Sequence, residues 1–407
     1  MVFVKQKEQI MAAVYMSPFY AGFLIFFYIL YVRWVRKSFH AFYKKAILIP
    51  AGILYFFAGA AMAIGFFLPS GSTQNFFNMI GYCWLGIFMY LVGFTLIAII
   101  LSTIIGIIHN KTLRGFTRTA SYKYMMLAAL VATTVISVYG LVHSKQIVTK
   151  EYNIHIDQDG GQLDDLKIIL ISDLHLGYNV GEKHIAKVVD AINAQNADVV
   201  LIAGDIFNNE YASITNPDKV AEELASIETT YGVYAAWGNH DVEEKILAGF
   251  NFPADTAKEP CQEMLDFIDK AGITVLEDEY VVLEDSVYIF GRLDGEITEE
   301  NKNTRLLPEE ICAIAETDKP LIVIDHEPDH LEELADAGVD LDLCGHTHDG
   351  QVFPANIVMD FIWENPYGYA VFGNMQNIVS SGCGIWGPAM RVGTDCEVCV
   401  INCTFNS

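Results

Sequence analysis

Acid is almost missing from the first 150 residues, where thirteen Lys and Arg stand against one acidic residue, Glu8, for a formal charge of +12. Base is scarce in the remainder, where twelve Lys and Arg stand against forty-nine acids, or −37, and the whole chain carries −25. Parts so unlike are separate domains, here 1–150 and 151–407. The scarcity of base excludes the second part as an unaided binder of nucleic acid or of an anionic membrane surface. Its size is enough for one well-buried core. There is no internal repeat and no low-complexity segment. The eight cysteines include no CxxC…CxxC pair, which excludes a structural zinc site of that type. Cys396 and Cys399 form a lone CxxC, and Cys399 and Cys403 would lie roughly 13 Å apart on a strand, too far to bridge. They read as small buried hydrophobes.

Four stretches contain no charge at all: Ile10 to Val32, Ala46 to Leu68, Met79 to Ile108 and Tyr124 to Val142. A membrane-spanning helix needs roughly 20 apolar residues, so four spans are expected, at about 10–32, 46–68, 79–108 and 124–142. The third is long enough to tilt or bend. The first is too long for a signal peptide and is followed by three more. The loop after span one holds Arg33, Arg36, Lys37, Lys44 and Lys45, the loop after span three holds Lys111, Arg114, Arg118 and Lys123, and the loop between spans two and three holds no charge. Basic loops stay in the cytoplasm. An integral, multi-pass plasma-membrane protein is expected, with its acidic domain outside the cytoplasm. Free thiols there would be unusual. No span holds an acid, Lys or Arg in its core, so no ion path is visible.

The acidic part alternates apolar, β-branched runs with helical spacing. Strands are expected at Leu166–Ser172, Asp198–Ala203, Gly232–Trp237, Leu321–Ile324 and Asp340–Cys344. Helices are expected at Glu182–Gln195 and Pro217–Thr230. Shorter strands at Ile273–Leu276, Tyr280–Leu283, Val287–Phe290 and Glu397–Cys403 suggest a second sheet packed on the first. Just past each of the five long strands stands a short polar motif: Asp173-Leu174-His175, Gly204-Asp205, Gly238-Asn239-His240-Asp241, Asp325-His326-Glu327-Pro328 and Gly345-His346-Thr347-His348. Loops at the C-terminal ends of parallel strands converge, so these residues meet at one edge.

The motifs hold enough carboxylate, amide and imidazole to give three ligands to each of two cations, plus one carboxylate to share. Two cations about 3.5–4 Å apart suit hydrolysis of a phosphate ester, because they make a hydroxide available near neutral pH and neutralise phosphoryl oxygens. Asp205 fits the shared position. Oxygen and nitrogen ligands without thiolate suit Mn, Fe or Zn, with Mn favoured, better than Ca. His240 has the chemistry to protonate a leaving oxygen, with Asp241 to fix its tautomer. His155, His184 and His330 stand outside the motifs and read as structural. Asp294 and Arg391 either touch substrate or form structural ion pairs.

The ordered set of motifs, with Ser380-Ser381-Gly382-Cys383-Gly384 and Arg391 behind it, resembles the calcineurin-like metallophosphoesterases over roughly residues 165–403, and most of all their membrane-anchored bacterial branch. The resemblance implies an α/β fold, a two-sheet αββα sandwich, preceded here by four transmembrane helices. It implies that Asp173, His175 and His348 bind a first metal, that Asn239, His326 and His346 bind a second, that Asp205 bridges them, and that His240 is the general acid, held by Asp241. Two features depart from the branch. Asp349 stands where GHTHGGQ has its first glycine, and Asn208 and Asn209 stand where an acid is usual after GD. The expected activity is hydrolysis of a phosphomonoester or phosphodiester by a hydroxide between the metals, on a lipid-linked or cell-envelope substrate. The alternatives are a cytoplasm-facing nucleotide or nucleotide-lipid pyrophosphate hydrolase, and an inactive membrane scaffold or sensor. The expected partners are the bilayer and the phosphate ester, with no nucleic acid. The apolar run Phe353 to Tyr369 reads as core packing or as an apolar wall beside the metals.

Overall fold

The computed structural model describes residues 2–109, 120–244, 259–297, 305–314 and 319–406. Two compact units result, one holding the helices up to Val142 together with Gly387–Met390, the other holding the remaining described residues from His143 onward.

The first unit consists of α1 (Val2–Ser38), α2 (Lys45–Phe67), α3 (Ser72–Ile108) and, up to Val142, α4 (Ala120–His143). Among the described residues these four helices are long and apolar enough to cross a membrane. Several run past their expected ends. The first continues through Arg33, Arg36 and Lys37, and the third starts at Ser72 rather than 79. Helical hydrogen bonding outlasts hydrophobicity at both places, because a helix need not stop where its apolar run stops. Lys111, Arg114 and Arg118 of the third loop lie outside the described residues. The bundle is closely packed where side chains are small. A Cβ on Gly81 would stand 2.7 Å from the backbone nitrogen of Met62, so only glycine lets α3 approach α2 so closely. Several polar groups inside are paired: the hydroxyls of Tyr31 and Thr95 lie 2.7 Å apart, and the Trp84 indole donates to Tyr20 at 3.1 Å.

The second unit is a sandwich of two six-stranded sheets. One runs β1 (Ile147–Asp159), β12 (Cys396–Asn406), β2 (Asp165–Ile171), β3 (Val199–Ala203), β4 (Val233–Ala236), β5 (Ile273–Val275). The other runs β10 (Gly368–Phe372), β11 (Met375–Val379), β9 (Leu341–Cys344), β8 (Leu321–Ile324), β7 (Val287–Gly291), β6 (Glu279–Leu283). Strands β2 to β5 are mutually parallel, as are β7, β8, β9 and β11.

Alternation along each strand builds three cores. Ile168, Leu170 and Leu201 face Ile322, Ile324 and Leu343 between the sheets. Their neighbours Ile169, Ile171 and Val200 face the other way, onto α5 (Glu182–Asn193), α6 (Pro217–Leu224) and α7 (Gln262–Lys270). On the far side Phe290 and Val323 meet α8 (Pro308–Ile314) and α9 (Leu331–Ala337). The period of two in a strand sends adjacent residues to opposite layers, so a strand buried on both faces reads as a continuous apolar run. This is the expected αββα sandwich. Three features differ from expectation. Of the short strands expected to form the second sheet, β5 and β12 lie in the first, while β8 and β9, of the five long strands, lie in the second. Helix α6 stops at Leu224, six residues early. Strands β1, β10 and β11 have no counterpart in the expected set, since each carries polar or exposed residues and draws its place from a partner: β1 from β12, and β10 from β11.

Candidate active site

Five loops leave the C-terminal ends of β2, β3, β4, β8 and β9, and their motif side chains meet in one place. The backbone there is unusual. Asp173, His175, Asp205, His346 and His348 all adopt positive φ, between 46° and 67°. Such residues cost about 1–3 kcal/mol each and persist only where the surroundings hold them. Hydrogen bonds do so here: Asp173 N–H to the Gly204 carbonyl (3.0 Å), His175 N–H to the Asp205 carbonyl (2.9 Å), and His240 N–H to Asp205 Oδ1 (2.8 Å). Gly204 has φ +73°, and a Cβ on it would stand 2.5 Å from Nδ1 of His326. That glycine lets a histidine from the second sheet reach the first.

The side chains form two groups that share one carboxylate. In the first, His175 Nε2 lies 3.0 Å from His348 Nε2 and 3.5 Å from Asp205 Oδ2, and His348 Nε2 lies 3.5 Å from Asp173 Oδ1. In the second, His326 Nε2 lies 3.3 Å from the same Asp205 Oδ2, 3.2 Å from Asn239 Oδ1 and 3.2 Å from His346 Nδ1. Asp173, His175 and His348 could hold one ion, and Asp173, Asp205 and His326 are close enough to hold one as well.

Tautomers test whether cations fit. His326 Nδ1 is 2.8 Å from the Ala203 carbonyl, an acceptor only, so its proton sits there and Nε2 presents a lone pair. Asn239 gives Nδ2 to Glu296 Oε2 at 2.7 Å, which turns Oδ1 inward. Several lone pairs thus face one another, and a positive charge is required between them. Burial acts to lower the pKa of His326, but Asp205 foremost, then Asp173 and Asp294, hold it well above the usual value. Burial acts to raise Asp205, and His326, His240 and His175 outweigh it and hold the carboxyl well below the usual range. Burial, helped by the Asp205 charge, pushes Asp173 up, and burial, helped by the charges of His240, His326 and Arg391, pushes His175 down to about 3. A field that draws a proton onto His326 suits a divalent cation, and the oxygen and nitrogen ligands fit Mn, Fe or Zn.

His240 sits beside these groups, its ring 5.1 Å from that of His175 and 6.2 Å from that of Trp386. Asp241 was expected to fix this ring. Its carboxylate instead accepts from the backbone N–H groups of Phe207 and Gly238, both at 2.8 Å. The turn closed by Asp241 N–H on the Gly238 carbonyl tucks that side chain beneath the loop. The amide oxygen of Asn209 meets His240 Nδ1. The departure from the family pattern at Asn209 therefore falls on the partner of the proposed acid.

Of the other candidates, Arg391 is fully buried and reaches the His348 carbonyl (3.2 Å), His348 Nδ1 (3.1 Å) and the Gly384 carbonyl (2.8 Å), so it holds a ligand loop. Asp294 accepts from Ile297 N–H at 2.8 Å. Arg292, not singled out from sequence, pairs with Asp325 at 2.6 Å in the interior. Glu296 was missed as a site residue, whereas Trp363 belongs to the run read as core packing or as an apolar wall beside the metals. Glu296 follows β7, another parallel strand, and the rule that found the five motifs would have pointed to that loop. The Trp363 ring stands edge-on to His346 at 5.2 Å.

Residues 166–350 match the family model described as calcineurin-like phosphoesterase. The chain is 26% identical over 356 residues to a transmembrane protein with metallophosphoesterase domain from Danio rerio, covering 82% of this chain and 75% of the relative. It is 30% identical over 254 residues to an uncharacterized metallophosphoesterase of Helicobacter pylori, covering 61% of this chain and 62% of that one. A similarity of 23% over 298 residues, covering 62% of this chain and 88% of the relative, links it to the UDP-2,3-diacylglucosamine pyrophosphatase LpxG of Chlamydia trachomatis.

Proposed function

We propose a specific reaction for this chain, which carries a calcineurin-like metallophosphoesterase domain and is a metal-dependent phosphoester hydrolase: it cleaves a phosphomonoester or phosphodiester of a lipid-linked substrate, from an anchor of four membrane helices. One observation carries the reading. Two ligand groups share Asp205, and an imidazole outside both groups, His240, stands beside them.

Asp173, His175 and His348 would hold one cation, Asn239, His326 and His346 the other, and Asp205 both. When bound, two divalent cations lower the pKa of water and neutralise phosphoryl charge. The chain's own residues do the rest. The Asn209 oxygen meets His240 Nδ1, and the protonated imidazole gives a proton to the leaving oxygen. The His240 amide on Asp205 Oδ1 ties the acid to the shared carboxylate. Asp241 fixes the turn that carries both His240 and Asn239.

Basic residues at the α1–α2 connection support a cytoplasmic place for that loop and an extracytoplasmic catalytic domain in the plasma membrane. The second reading, a cytoplasm-facing hydrolase of nucleotide-lipid pyrophosphates, is favoured by the free state of all eight cysteines and by the pyrophosphatase name of one relative. A membrane-impermeant maleimide applied to intact cells separates the two, since partly exposed Cys261 reacts only in the first case.

The reaction is tested on the full chain in nanodiscs, with Mn²⁺, against mono-, di- and lipid phosphates. His240→Ala is expected to slow esters of poor leaving groups by about 10²-fold or more and those of good leaving groups far less. Absence of metal-stimulated turnover on every ester would leave the scaffold alternative in place.

A further inference from the structure

The segment that follows the last histidine motif is folded, yet it leaves its apolar side chains uncovered. The helical turn α10 (Ala355–Met359) continues into bonds from Phe361 N–H to the Val358 carbonyl (3.1 Å), and from Ile362 (3.0 Å) and Trp363 (3.1 Å) to the Met359 carbonyl. Ile357 is 47% exposed, Val358 50%, Phe361 84% and Ile362 60%. Among the described residues of the catalytic unit, no other stretch so short shows four large apolar side chains. Patches of this kind mark binding surfaces. Trp363 comes next in the chain, and its ring packs on His346, a candidate ligand of the second metal. Apolar surface thus begins beside the site and runs outward along the segment, interrupted in sequence by exposed Asp360. The charges within the segment are Asp360 and Glu364, and no Lys or Arg lies between Phe353 and Tyr369. An anionic headgroup or polymer would be repelled there, whereas hydrocarbon would not.

We propose that residues 357–363 hold the acyl chain of a lipid phosphate while its phosphoryl group lies beside His346 and Asp205. This rests on the hydrolase reading and names the substrate class of the same site. The test uses the full chain in detergent, with two measurements. The first is the ratio of kcat/KM for a dioctanoyl lipid monophosphate to that for glycerol phosphate, in wild type and in the double variant Phe361→Ser, Ile362→Ser. The ratio is expected to fall about tenfold, near the loss of one well-buried apolar contact. The second uses a lipid monophosphate with a diazirine in its acyl chain. Crosslinks to peptides containing 357–363, displaced by unlabelled lipid phosphate but not by glycerol phosphate, are expected. An unchanged ratio, or labels confined to the membrane helices, overturns the acyl site while leaving hydrolysis intact. A wild type that cleaves no ester overturns the hydrolase reading and this one with it.

A separate observation assigns a positioning residue. An asparagine amide can turn either end toward a metal, and only Oδ1 can bind it. Asn239 Nδ2 donates to Glu296 Oε2 at 2.7 Å, and a carboxylate accepts but does not donate. Glu296 sits in a turn capped by Asp294, which accepts from Ile297 N–H. The geometry points to Glu296 as the group that sets the Asn239 amide for the second cation. Glu296→Ala is expected to weaken the second Mn²⁺ about 10- to 100-fold, read as metal per chain and as loss of the spin-coupled pair signal in electron paramagnetic resonance, with the first Mn²⁺ retained. Glu296→Gln keeps an acceptor and is expected to restore most of the signal. Wild-type binding by the alanine variant, or no recovery in the glutamine variant, overturns the assignment.

Discussion

The two units of this chain bury opposite things. In the sandwich, Leu201, Ile322 and Phe290 are inside. In the helical unit, Leu54, Ile107 and Val135 are more than 60% exposed, while Gly59, Ala61, Thr95 and Ser102 are buried. Water drives the first arrangement, since apolar surface leaves it. Lipid removes that drive between helices, and what remains is close backbone approach and pairing of polar groups. The catalytic unit then adds a third class, buried charge, held in a few loops by mutual compensation.

That contrast can be broken by substitution, and the largest effect should fall on buried charge. Asp205→Asn removes the shared carboxylate, and turnover is expected to drop by at least about 10³-fold, equivalent to about 4 kcal/mol. Metal analysis should show loss from both groups. If only one metal is lost, the shared role is wrong.

Next come the apolar residues. Leu201→Ala in the sandwich is expected to cost about 2–5 kcal/mol, and Leu54→Ala on the outside of α2 within about 0.5 kcal/mol, both by thermal unfolding in nanodiscs. Equal costs would mean that Leu54 faces protein. Gly81→Ala, which presses a methyl on the Met62 backbone, should cost about 1–3 kcal/mol although it adds apolar surface. A stabilised variant would show that α2 and α3 are not in contact there.

The smallest effect is on pH. Burial pushes Asp340 from its ordinary 3.8 up to about 6, against the opposing bond from Leu321 N–H. Between those values the folded chain holds a proton that the unfolded chain has released, so stability falls as pH rises through that window. Asp340→Asn should flatten part of that fall in the unfolding of the sandwich. An identical pH slope in the variant would place the titration elsewhere. The first 150 residues contain only Glu8 as an acid, and no such slope is expected for the helices.

Much of this is legible in the sequence. Four charge-free runs are enough for four helices, because lipid imposes length and hydrophobicity on each segment separately. Strands β2, β3, β4, β8 and β9 were readable because both faces are buried and each ends at a glycine or acid. The candidate metal-ligand residues stood out for the same reason, as each motif follows its own strand. What failed was long-range. Strand β1 alternates like an exposed strand, and only its pairing with β12, some 250 residues away, makes it part of the sheet.

The division follows from where each decision is made. Residue type and local spacing determined the spans, the central strands and which residues carry chemistry, because those depend on neighbours within one element. Tertiary structure alone decided that Asn209 rather than Asp241 meets the His240 ring, that Glu296 turns the Asn239 amide, and that Trp363 lies on His346. A hydrogen bond or ring contact between distant loops depends on angles set by two packed sheets, and no single segment contains that information.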